Sequence, residues 1–418
     1  MMEQEFFTRV DGELYCEGVK VKEAAETFGT PMYLYSAAHL RKRYRDFEEA
    51  LKGSPHRICF AVKACSNVNI LDLFTKEGAG FDIVSGGELY RVIKAGGDPR
   101  SCVYAGVGKS KAEIEYAVEN EILYFGVESE PELERINAAA KKLGKKARVA
   151  LRINPDVDAH THEYITTGKS ENKFGLAPEA ARTLYLKMAS AYPYVEAVGA
   201  QVHIGSQITE TAPFLEGAKK LAAFIKELNG QGVSLKYFDI GGGLGIVYKN
   251  EDPATPAALV NELLPLVKEL GMTFVCEMGR YMCGNAAMLV ASVEYVKRTA
   301  KKNFVVVDAG MNDLLRPALY EAYHEIKAVE EKEEKFVCDV VGPICESADV
   351  FRKDCEIPAV EADDLLAICS AGAYGFSMSS NYNSRGRAAE VLVEGDKARL
   401  IRKRESFEDQ VRNETTCE

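Results

Sequence analysis

The chain has 418 residues, of which 47% are hydrophobic and 28% are charged, and this balance predicts a globular protein of two domains. Its 63 acidic residues outnumber its 52 basic ones, and the net charge of −11 argues against nucleic acid or an anionic membrane as a partner. The sequence has no apolar run of the roughly 20 residues that a membrane-spanning helix needs.

Cysteine and histidine usage narrows the class of protein further. The 11 cysteines are scattered, several of them inside apolar runs, and the six histidines show no zinc-site spacing with them. We therefore predict no metal site. Because "MMEQEFFTRV" shows no signal-peptide pattern, we expect reduced thiols in a cytoplasmic protein, and we expect that protein to be an enzyme.

The first thirty residues alternate like a strand pair, and a unit of apolar run, turn and helical segment then recurs from residue 36 to about 280. Three of the helical segments begin with a serine three residues before a glutamate, the capping-box pattern, at Ser85, Ser110 and Ser129. The eight strand candidates are "RICFAV", "GFDIV", "CVYAG", "LYFGV", "ARVALRI", "VGAQVHI", "LKYFDI" and "MTFVCE".

Eight alternating strands and helices favour a (β/α)₈ barrel, although an open doubly wound sheet has the same alternation. After Arg280 the pattern changes to strands joined by turns, and Gly395-Asp396 predicts a hairpin between the last two strands. The predicted fold class is therefore α/β. It combines a barrel at residues 36–282 with a mostly β domain formed by residues 283–418 and 1–35.

Charged and polar residues gather at the predicted strand ends, where a barrel carries its chemistry. Each alone is more often a solvated strand end or a satisfied core residue than a functional group, so the argument rests on their convergence. They are Lys63 after the first strand, Asp82 in the second, Arg152 and Asn154 at the fifth, His203 at the sixth, Gly241–Gly245 after the seventh, and Glu277 and Arg280 at the eighth.

The glycine run in "DIGGGLG" frees the backbone to turn tightly and to direct amide N–H groups at an anion. Loops after late barrel strands are frequent phosphate sites, although a simple tight turn also explains the run. Neither the dinucleotide spacing G-x-G-x-x-G nor a Walker motif occurs there.

An amine and a phosphate site on one barrel rim indicate pyridoxal 5′-phosphate as the cofactor. Lys63, in a desolvated site, would form the imine with the cofactor aldehyde. Glu277 would keep the ring nitrogen protonated and so make the ring an electron sink. The flat imidazole of His203 suits stacking on the ring.

These residues resemble a known family, the alanine-racemase-like (fold-type III) pyridoxal-phosphate decarboxylases, and within it the diaminopimelate decarboxylase branch. Where that family usually has Glu-Pro-Gly-Arg or Glu-Gly-Gly-Arg, this chain has Met278 and keeps both functional side chains. The motifs that carry the resemblance span nearly the whole chain: "FAVKACSN", "FDIVSGGEL", "HIGSQ", "DIGGGLG", "CEMGR", "RPALY", "GPICESAD" and "GAYGFSMSSNYN".

The resemblance implies roles for individual residues. Lys63, His203 and Cys345 would be catalytic, with Cys345 as the acid that reprotonates Cα. Glu346 would bind the distal amino group, and both it and Cys345 would reach in from the partner subunit of a homodimer. The cofactor set would be Lys63, Asp82, His203, Ser206, Gly241, Gly242, Gly243, Glu277, Gly279, Arg280 and Tyr374, and the substrate set Arg280, Arg316, Tyr320, Cys345, Glu346 and Tyr374.

Residue chemistry ranks the alternatives. A racemase would do better with an arginine at the ring nitrogen than with Glu277. A decarboxylase of ornithine, arginine or carboxynorspermidine would leave Arg316 without a far carboxylate to bind. Relatives that decarboxylate other D-amino acids or carrier-bound glutamate would keep much of the pattern and stay an alternative. A non-catalytic regulatory homologue would tend to lose Lys63 or the glycine loop, and a cofactor-free aldolase barrel would leave Glu277 and Cys345 without a role.

The sequence therefore predicts a carboxy-lyase that acts on a small amino acid. The resemblance implies that the reaction is decarboxylation of meso-2,6-diaminopimelate to L-lysine and CO₂, the last step of lysine biosynthesis.

Overall fold

The computed structural model describes residues 5–157 and 173–415, and the chain divides into two compact units. The barrel unit comprises Arg43–Ile246 and Asp252–Tyr281. The β-rich unit comprises Met1–Lys42, Val247–Glu251 and Met282–Glu418. The domain limits given above stay a prediction.

The chain begins with short strands and two helices. Strands β1, β2 and β3 pair as a small antiparallel sheet, and β4 joins a larger sheet of the β-rich unit. The elements are β1 (Arg9–Val10), β2 (Glu13–Cys16), β3 (Val19–Lys20), α1 (Val21–Phe28), β4 (Met32–Ser36) and α2 (Ala37–Ala50).

Eight parallel strands then close the barrel, in chain order, with the last strand pairing to the first. The predicted (β/α)₈ barrel is therefore confirmed. The strands are β5 (His56–Ala61), β6 (Gly80–Ile83), β7 (Cys102–Tyr104), β8 (Tyr124–Val127), β9 (Ala147–Arg152), β10 (Val195–Gln201), β11 (Tyr237–Asp239) and β12 (Thr273–Met278).

Helices follow the barrel strands and cover them. Phe60 of the first barrel strand stacks on Phe74 of the helix that follows it, with ring centroids 4.3 Å apart, which is the packing expected of a strand covered on both faces. The helices are α3 (Val68–Glu77), α4 (Gly86–Lys94), α5 (Lys111–Glu119), α6 (Glu130–Leu143), α7 (Pro178–Ala191), α8 (Ala212–Gly230) and α9 (Pro256–Glu269).

The three predicted serine caps all begin helices, but only one is a full capping box. Ser110 accepts from the backbone N–H of Glu113, whose side chain accepts in return from the N–H of Ser110. Ser85 and Ser129 also accept at their helix starts. The carboxylates of Glu88 and Glu132, however, accept from other groups, so the prediction of a full capping box at Ser85 and Ser129 is wrong.

The rest of the chain builds the β-rich unit around a nine-stranded sheet. Its order is β17-β16-β14-β13-β4-β19-β20, with β18 on β13 and β15 on β18. The elements are α10 (Arg280–Cys283), β13 (Ala287–Arg298), β14 (Asn303–Val307), α11 (Arg316–Tyr320), β15 (Ile326–Ala328), β16 (Lys335–Val341), β17 (Val350–Pro358), β18 (Leu365–Ile368), β19 (Ala389–Glu394), β20 (Lys397–Arg402) and α12 (Phe407–Val411).

The N-terminal segment belongs to this β-rich unit, as expected. Strand β4 lies between β13 and β19, and Leu14 and Val21 pack into the same apolar core as Val290 and Val391. The hairpin predicted at Gly395-Asp396 is confirmed by the pairing of β19 with β20.

Within residues 5–157 and 173–415, no helix combines the length and the apolar character needed to cross a membrane. The ten cysteines in those ranges are free thiols. The cytoplasmic location stays a prediction.

Candidate active site

The amine of Lys63 and the carboxylate of Asp82 meet at the carboxyl end of two neighbouring strands. Lys63 lies just after β5, and its Nζ donates to Oδ2 of Asp82, on β6, at 2.9 Å. The side chain of Asp82 is fully buried, whereas 37% of the Lys63 side chain is exposed. The expectation of a desolvated lysine is therefore wrong, because Lys63 is partly exposed and paired with a carboxylate.

Glu277 lies in the barrel interior near the end of β12 and is 5% exposed. Its Oε1 accepts from Nε2 of Gln201 at 2.5 Å. Burial, followed by the negative charges of Asp239 and Asp82, raises the pKa of the Glu277 carboxyl well above its usual range. Glu277 is therefore a carboxyl group that favours its protonated form.

His203 follows β10 by two residues, since the strand ends at Gln201 rather than at the histidine. The N–H of Gly242 donates to Nδ1 of His203 at 3.1 Å. Burial and the nearby cations Arg152 and Lys63 lower the pKa of the imidazole well below its usual range. His203 is therefore a neutral ring that carries its hydrogen on Nε2.

The glycine run after β11 allows the backbone to approach its neighbours closely, but most of its N–H groups do not point at an anion site. The N–H of Gly241 donates to Oδ1 of Asp239 at 2.8 Å, and that of Gly242 donates to His203, so both are committed to protein acceptors. The N–H of Gly243 has no acceptor among the described residues. At Gly242 a Cβ would lie 2.1 Å from the carbonyl oxygen of Glu277, so the backbone approaches closely only because the residue is glycine.

Arg280 places a buried guanidinium beside the loop that follows β10. Its Nε and Nη2 lie 3.3 and 3.1 Å from the hydroxyl oxygen of Ser206. Gly279 separates Arg280 from the end of β12. A guanidinium and a hydroxyl at this distance form a donor pair suited to an anion.

Arg152 and Asn154 instead hold a neighbouring chain segment. Nη1 of Arg152 donates to Oε1 of Glu128 at 3.0 Å, and its guanidinium lies 4.7 Å from the ring centre of Phe174. Nδ2 of Asn154 donates to the carbonyl of Phe174 at 3.4 Å. These contacts give both side chains a structural role. In addition, the charge of Arg152 lowers the pKa of the imidazole of His203.

The other predicted site residues belong to the β-rich unit, and we describe them within that unit alone. Arg316, at the start of α11, is buried; its Nη1 donates to Nε2 of His324 at 3.0 Å, and its guanidinium lies 4.7 Å from the ring centre of Tyr248. Tyr320 ends the same helix and is half-buried.

Cys345 and Glu346 lie exposed on a loop of the β-rich unit. The N–H of Cys345 donates to Oδ1 of Asn383 at 2.7 Å, which fixes the backbone that carries the thiol. Tyr374 is half-buried and has a φ of 57°, a left-handed conformation that is strained for a tyrosine and is often found at functional sites.

The rim residues fit a pyridoxal phosphate. The rim offers an amine in Lys63, a carboxyl group in Glu277 and an uncharged ring in His203. Two polar groups of the rim have no hydrogen-bond partner in the described part of the chain, namely Oδ1 of Asp82 and the N–H of Gly243. Arg280 with Ser206 adds the donors that a phosphate requires.

Sequence reasoning missed three residues that form one hydrogen-bonded cluster with Glu277. They are Tyr124, Gln201 and Asp239, all buried in the barrel. Asp239 carried the same signal as Asp82, a carboxylate inside an apolar strand, and Gln201 is a polar residue inside "VGAQVHI". Tyr124 gave no signal, because tyrosine is ordinary in a strand.

Residues 37–284 match the family model described as pyridoxal-dependent decarboxylase, pyridoxal binding domain. The chain is 49% identical over 407 residues to a diaminopimelate decarboxylase of Haemophilus influenzae, covering 97% of this chain and 98% of that protein. It is 50% identical to one of Aquifex aeolicus, covering 95% and 94%.

Two crystal structures of diaminopimelate decarboxylases complexed with L-lysine are also similar. The one from Helicobacter pylori has 44% identity and a TM-score of 0.91, covering 94% of this chain and 98% of that one. The one from M. jannaschii has 39% identity and a TM-score of 0.95, covering 100% and 99%.

Proposed function

Because the chain belongs to the diaminopimelate decarboxylases, a branch of the pyridoxal-dependent decarboxylases, we propose that it converts meso-2,6-diaminopimelate to L-lysine and CO₂ with pyridoxal 5′-phosphate as cofactor. The observation that carries the proposal is the pairing of Lys63 with Asp82 on the rim that also bears Glu277 and His203. An amine held in place at the mouth of a barrel is what a covalently bound aldehyde cofactor requires.

Bound pyridoxal phosphate would supply an electron sink for the electron pair that CO₂ leaves behind on Cα. Lys63 would bind its aldehyde, with Asp82 orienting the amine. Glu277 would contact the ring nitrogen, and neutral His203 would cover the ring. Arg280, Ser206, Gly243 and Tyr374 would hold the phosphate, while Gly241, Gly242 and Gly279 allow the loops to approach.

The distal end of the substrate decides between related reactions. Diaminopimelate has an amino group and a carboxylate at the end that does not react, whereas ornithine and arginine have no carboxylate there. Arg316, a buried guanidinium held by His324, suits a carboxylate, and Glu346 suits the distal ammonium. Tyr320 and Arg280 would complete the substrate contacts.

Cys345 is the residue that we assign to protonate Cα after CO₂ has left. Its thiol stands on an exposed loop of the β-rich unit, which suits a group that reaches into the site of a partner subunit. This exposure supports a homodimer that shares its active sites.

Lys63→Ala tests the amine assignment. Purified wild-type protein with cofactor should show imine absorbance and release CO₂ from meso-diaminopimelate, and the variant should lose both, because it lacks the amine that we assign to the aldehyde. Lys76→Ala is the matched control, since Lys76 is an exposed lysine paired with Asp72 on α3. Retention of both signals in Lys63→Ala would contradict the proposal.

The same assay tests the substrate. Ornithine, arginine and carboxynorspermidine should release CO₂ far more slowly than meso-diaminopimelate, because Arg316 then lacks its carboxylate. Equal rates with ornithine would favour the alternative of a basic amino-acid decarboxylase.

A further inference from the structure

A second carboxyl group lies buried beside Glu277 inside the barrel. Asp239, at the end of β11, is fully buried, and Nε2 of Gln201 bridges the two acids, at 3.1 Å from Oδ2 of Asp239 and 2.5 Å from Oε1 of Glu277. Because one amide nitrogen contacts both acids, the two carboxyl groups lie close together. Two buried carboxyl groups this close repel each other when both are charged, so the state in which one of them carries a proton is favoured.

The bridging position of Gln201 depends on a glycine in another strand of the barrel. A Cβ on Gly126, in β8, would lie 2.8 Å from Oε1 of Gln201. Glycine at this position therefore leaves the space in which the amide bridges Asp239 and Glu277.

The groups that face the pair do not compensate two negative charges. The ammonium of Lys63 is bound to Asp82, the third carboxylate of this region. Cys59 on β5 and Cys276 on β12 are fully buried thiols, and burial together with Asp239 and Glu277 raises the pKa of both well above the usual range. A pair that carries one negative charge and one proton is therefore the favoured state.

The donors around the pair decide which acid carries the charge. Asp239 accepts from the hydroxyl of Tyr124 at 2.8 Å and from the N–H of Gly241 at 2.8 Å, in addition to Gln201. Glu277 accepts from Gln201. Because donors stabilise a carboxylate, the charge belongs on Asp239 and the proton on Glu277. Burial raises the pKa of both carboxyl groups, and the charge of Asp239 raises that of Glu277 further.

We propose that Asp239 is a positioning residue that makes Glu277 a proton donor, so that the barrel itself holds the proton that the basic ring nitrogen of a pyridoxal cofactor takes up. This inference rests on the proposed function, because it concerns the carboxyl group assigned to that nitrogen. In the transfer the O–H bond of Glu277 breaks and an N–H bond forms. The pair passes from one negative charge to two while the nitrogen becomes positive, so the total charge is conserved.

The first experiment uses cofactor-free protein and asks where the proton lies. The infrared band of a protonated carboxyl group, assigned by its loss in Glu277→Gln, should be present at neutral pH. Asp239→Asn removes the neighbouring negative charge and should lower the midpoint pH of its disappearance by about one unit or more. Tyr124→Phe removes an O–H dipole whose positive end faces the pair and which stabilises the doubly charged pair more than the singly charged one, so it should raise that midpoint.

The two variants should move the midpoint in opposite directions, whereas a general loss of packing would not. The pair of shifts therefore distinguishes a positioning role of Asp239 from a structural one. Tyr185→Phe is the matched control, because the hydroxyl of Tyr185 is also buried in the barrel unit but donates to the carbonyl of Gly199 at 2.6 Å. It should leave the midpoint unchanged. If Asp239→Asn does not fold, the direction of the Tyr124→Phe shift decides. A wild-type protein without the band at neutral pH, or with a midpoint that Tyr124→Phe does not raise, overturns the proposal.

The second experiment counts protons by titrating pyridoxal 5′-phosphate calorimetrically in buffers of different ionisation enthalpy. The wild-type site supplies the proton from the pair, whereas Asp239→Asn, above its lowered midpoint, takes it from solvent. The variant should therefore take up about one more proton per site from the buffer. Equal counts in an active enzyme overturn this inference alone. A wild-type protein that neither binds the cofactor nor releases CO₂ overturns the proposed function, while the infrared result still tests the shared proton.

Discussion

The guanidinium of Arg316 is held in the β-rich unit by a short chain of side chains. Nδ1 of His324 lies 2.8 Å from the carbonyl oxygen of Cys369, which accepts from it, so Nε2 is left to accept from Arg316. The ring of Tyr248 lies under the guanidinium. His324 therefore fixes the direction of the group to which we assign the distal carboxylate of the substrate.

His324→Phe should raise KM for meso-diaminopimelate about tenfold or more, because one bond to a charged group is lost and Arg316 becomes free to turn. The value of kcat should change less, since the affected end of the substrate does not react. Steady-state kinetics measures both. His56→Phe is the control, because His56 begins β5 and contacts Ser54 and Glu48 instead. An unchanged KM in His324→Phe would separate Arg316 from substrate binding.

Residues with an unusual chemical type for their surroundings were predictable from the sequence. Lys63, Asp82 and Glu277 are charged groups in or beside apolar strands, and the barrel brings them to one end. The state of Lys63 was not predictable, because its exposure and its bond to Asp82 depend on which strands become neighbours. His324 gave no signal, since a single histidine in a loop is usual on any protein surface.

The loop after β11 joins two parts of the rim. Gly242 approaches the carbonyl of Glu277 on β12 and at the same time donates to His203 beyond β10. The loop therefore sets the orientation of the imidazole as well as the space for an anion. Its shape follows from three successive residues without side chains.

Gly242→Ala should weaken binding of pyridoxal 5′-phosphate about ten- to hundredfold, because relieving the clash with the carbonyl of Glu277 costs about 1–3 kcal/mol. Absorbance titration of the cofactor measures the affinity. Gly230→Ala, at the end of α8, is the control, since a Cβ there meets no atom within 4 Å. Wild-type affinity in Gly242→Ala would show that the loop does not shape the cofactor site.

The alternation of elements was predictable because each barrel strand is a short apolar run that helices cover. The residues at which the elements end were less predictable. Strand β10 stops at Gln201, although the apolar pattern continues through "VHI", so hydrophobicity alone did not give the strand end. At Ser129 the expected capping box is replaced by a bond between Glu132 and the buried ammonium of Lys109, which a local pattern cannot reveal.

The β-rich unit draws strands from both ends of the chain. Strand β4 pairs in parallel with β19, more than 350 residues later in the chain, and their register includes Met32 with Ala389. Alternation in the first thirty residues indicated strands, but no local pattern chooses a distant partner, so only membership of a β domain was predictable. The homodimer stays a prediction, supported by the exposure of Cys345 and Glu346.

Hybrid dimers test whether each active site combines two subunits. Lys63→Ala lacks the amine of the barrel unit, and Cys345→Ala lacks the acid, which should slow turnover about 10²- to 10⁴-fold while cofactor remains bound. Neither variant alone has an intact site. If Cys345 acts across the interface, a mixed dimer has one site with both residues and one with neither.

Random reassortment of equal amounts of the two variants should therefore restore about a quarter of wild-type activity, because half of the dimers are mixed and each has one intact site of two. Assays after mild dissociation and reassociation, with the dimer confirmed by sedimentation, measure the recovery. Lys63→Ala mixed with Asp82→Asn is the control and should recover nothing, because both changes lie in the barrel unit. Activity no greater than the sum of the separate Lys63→Ala and Cys345→Ala proteins would place Cys345 in its own subunit's site, or exclude it from the reaction.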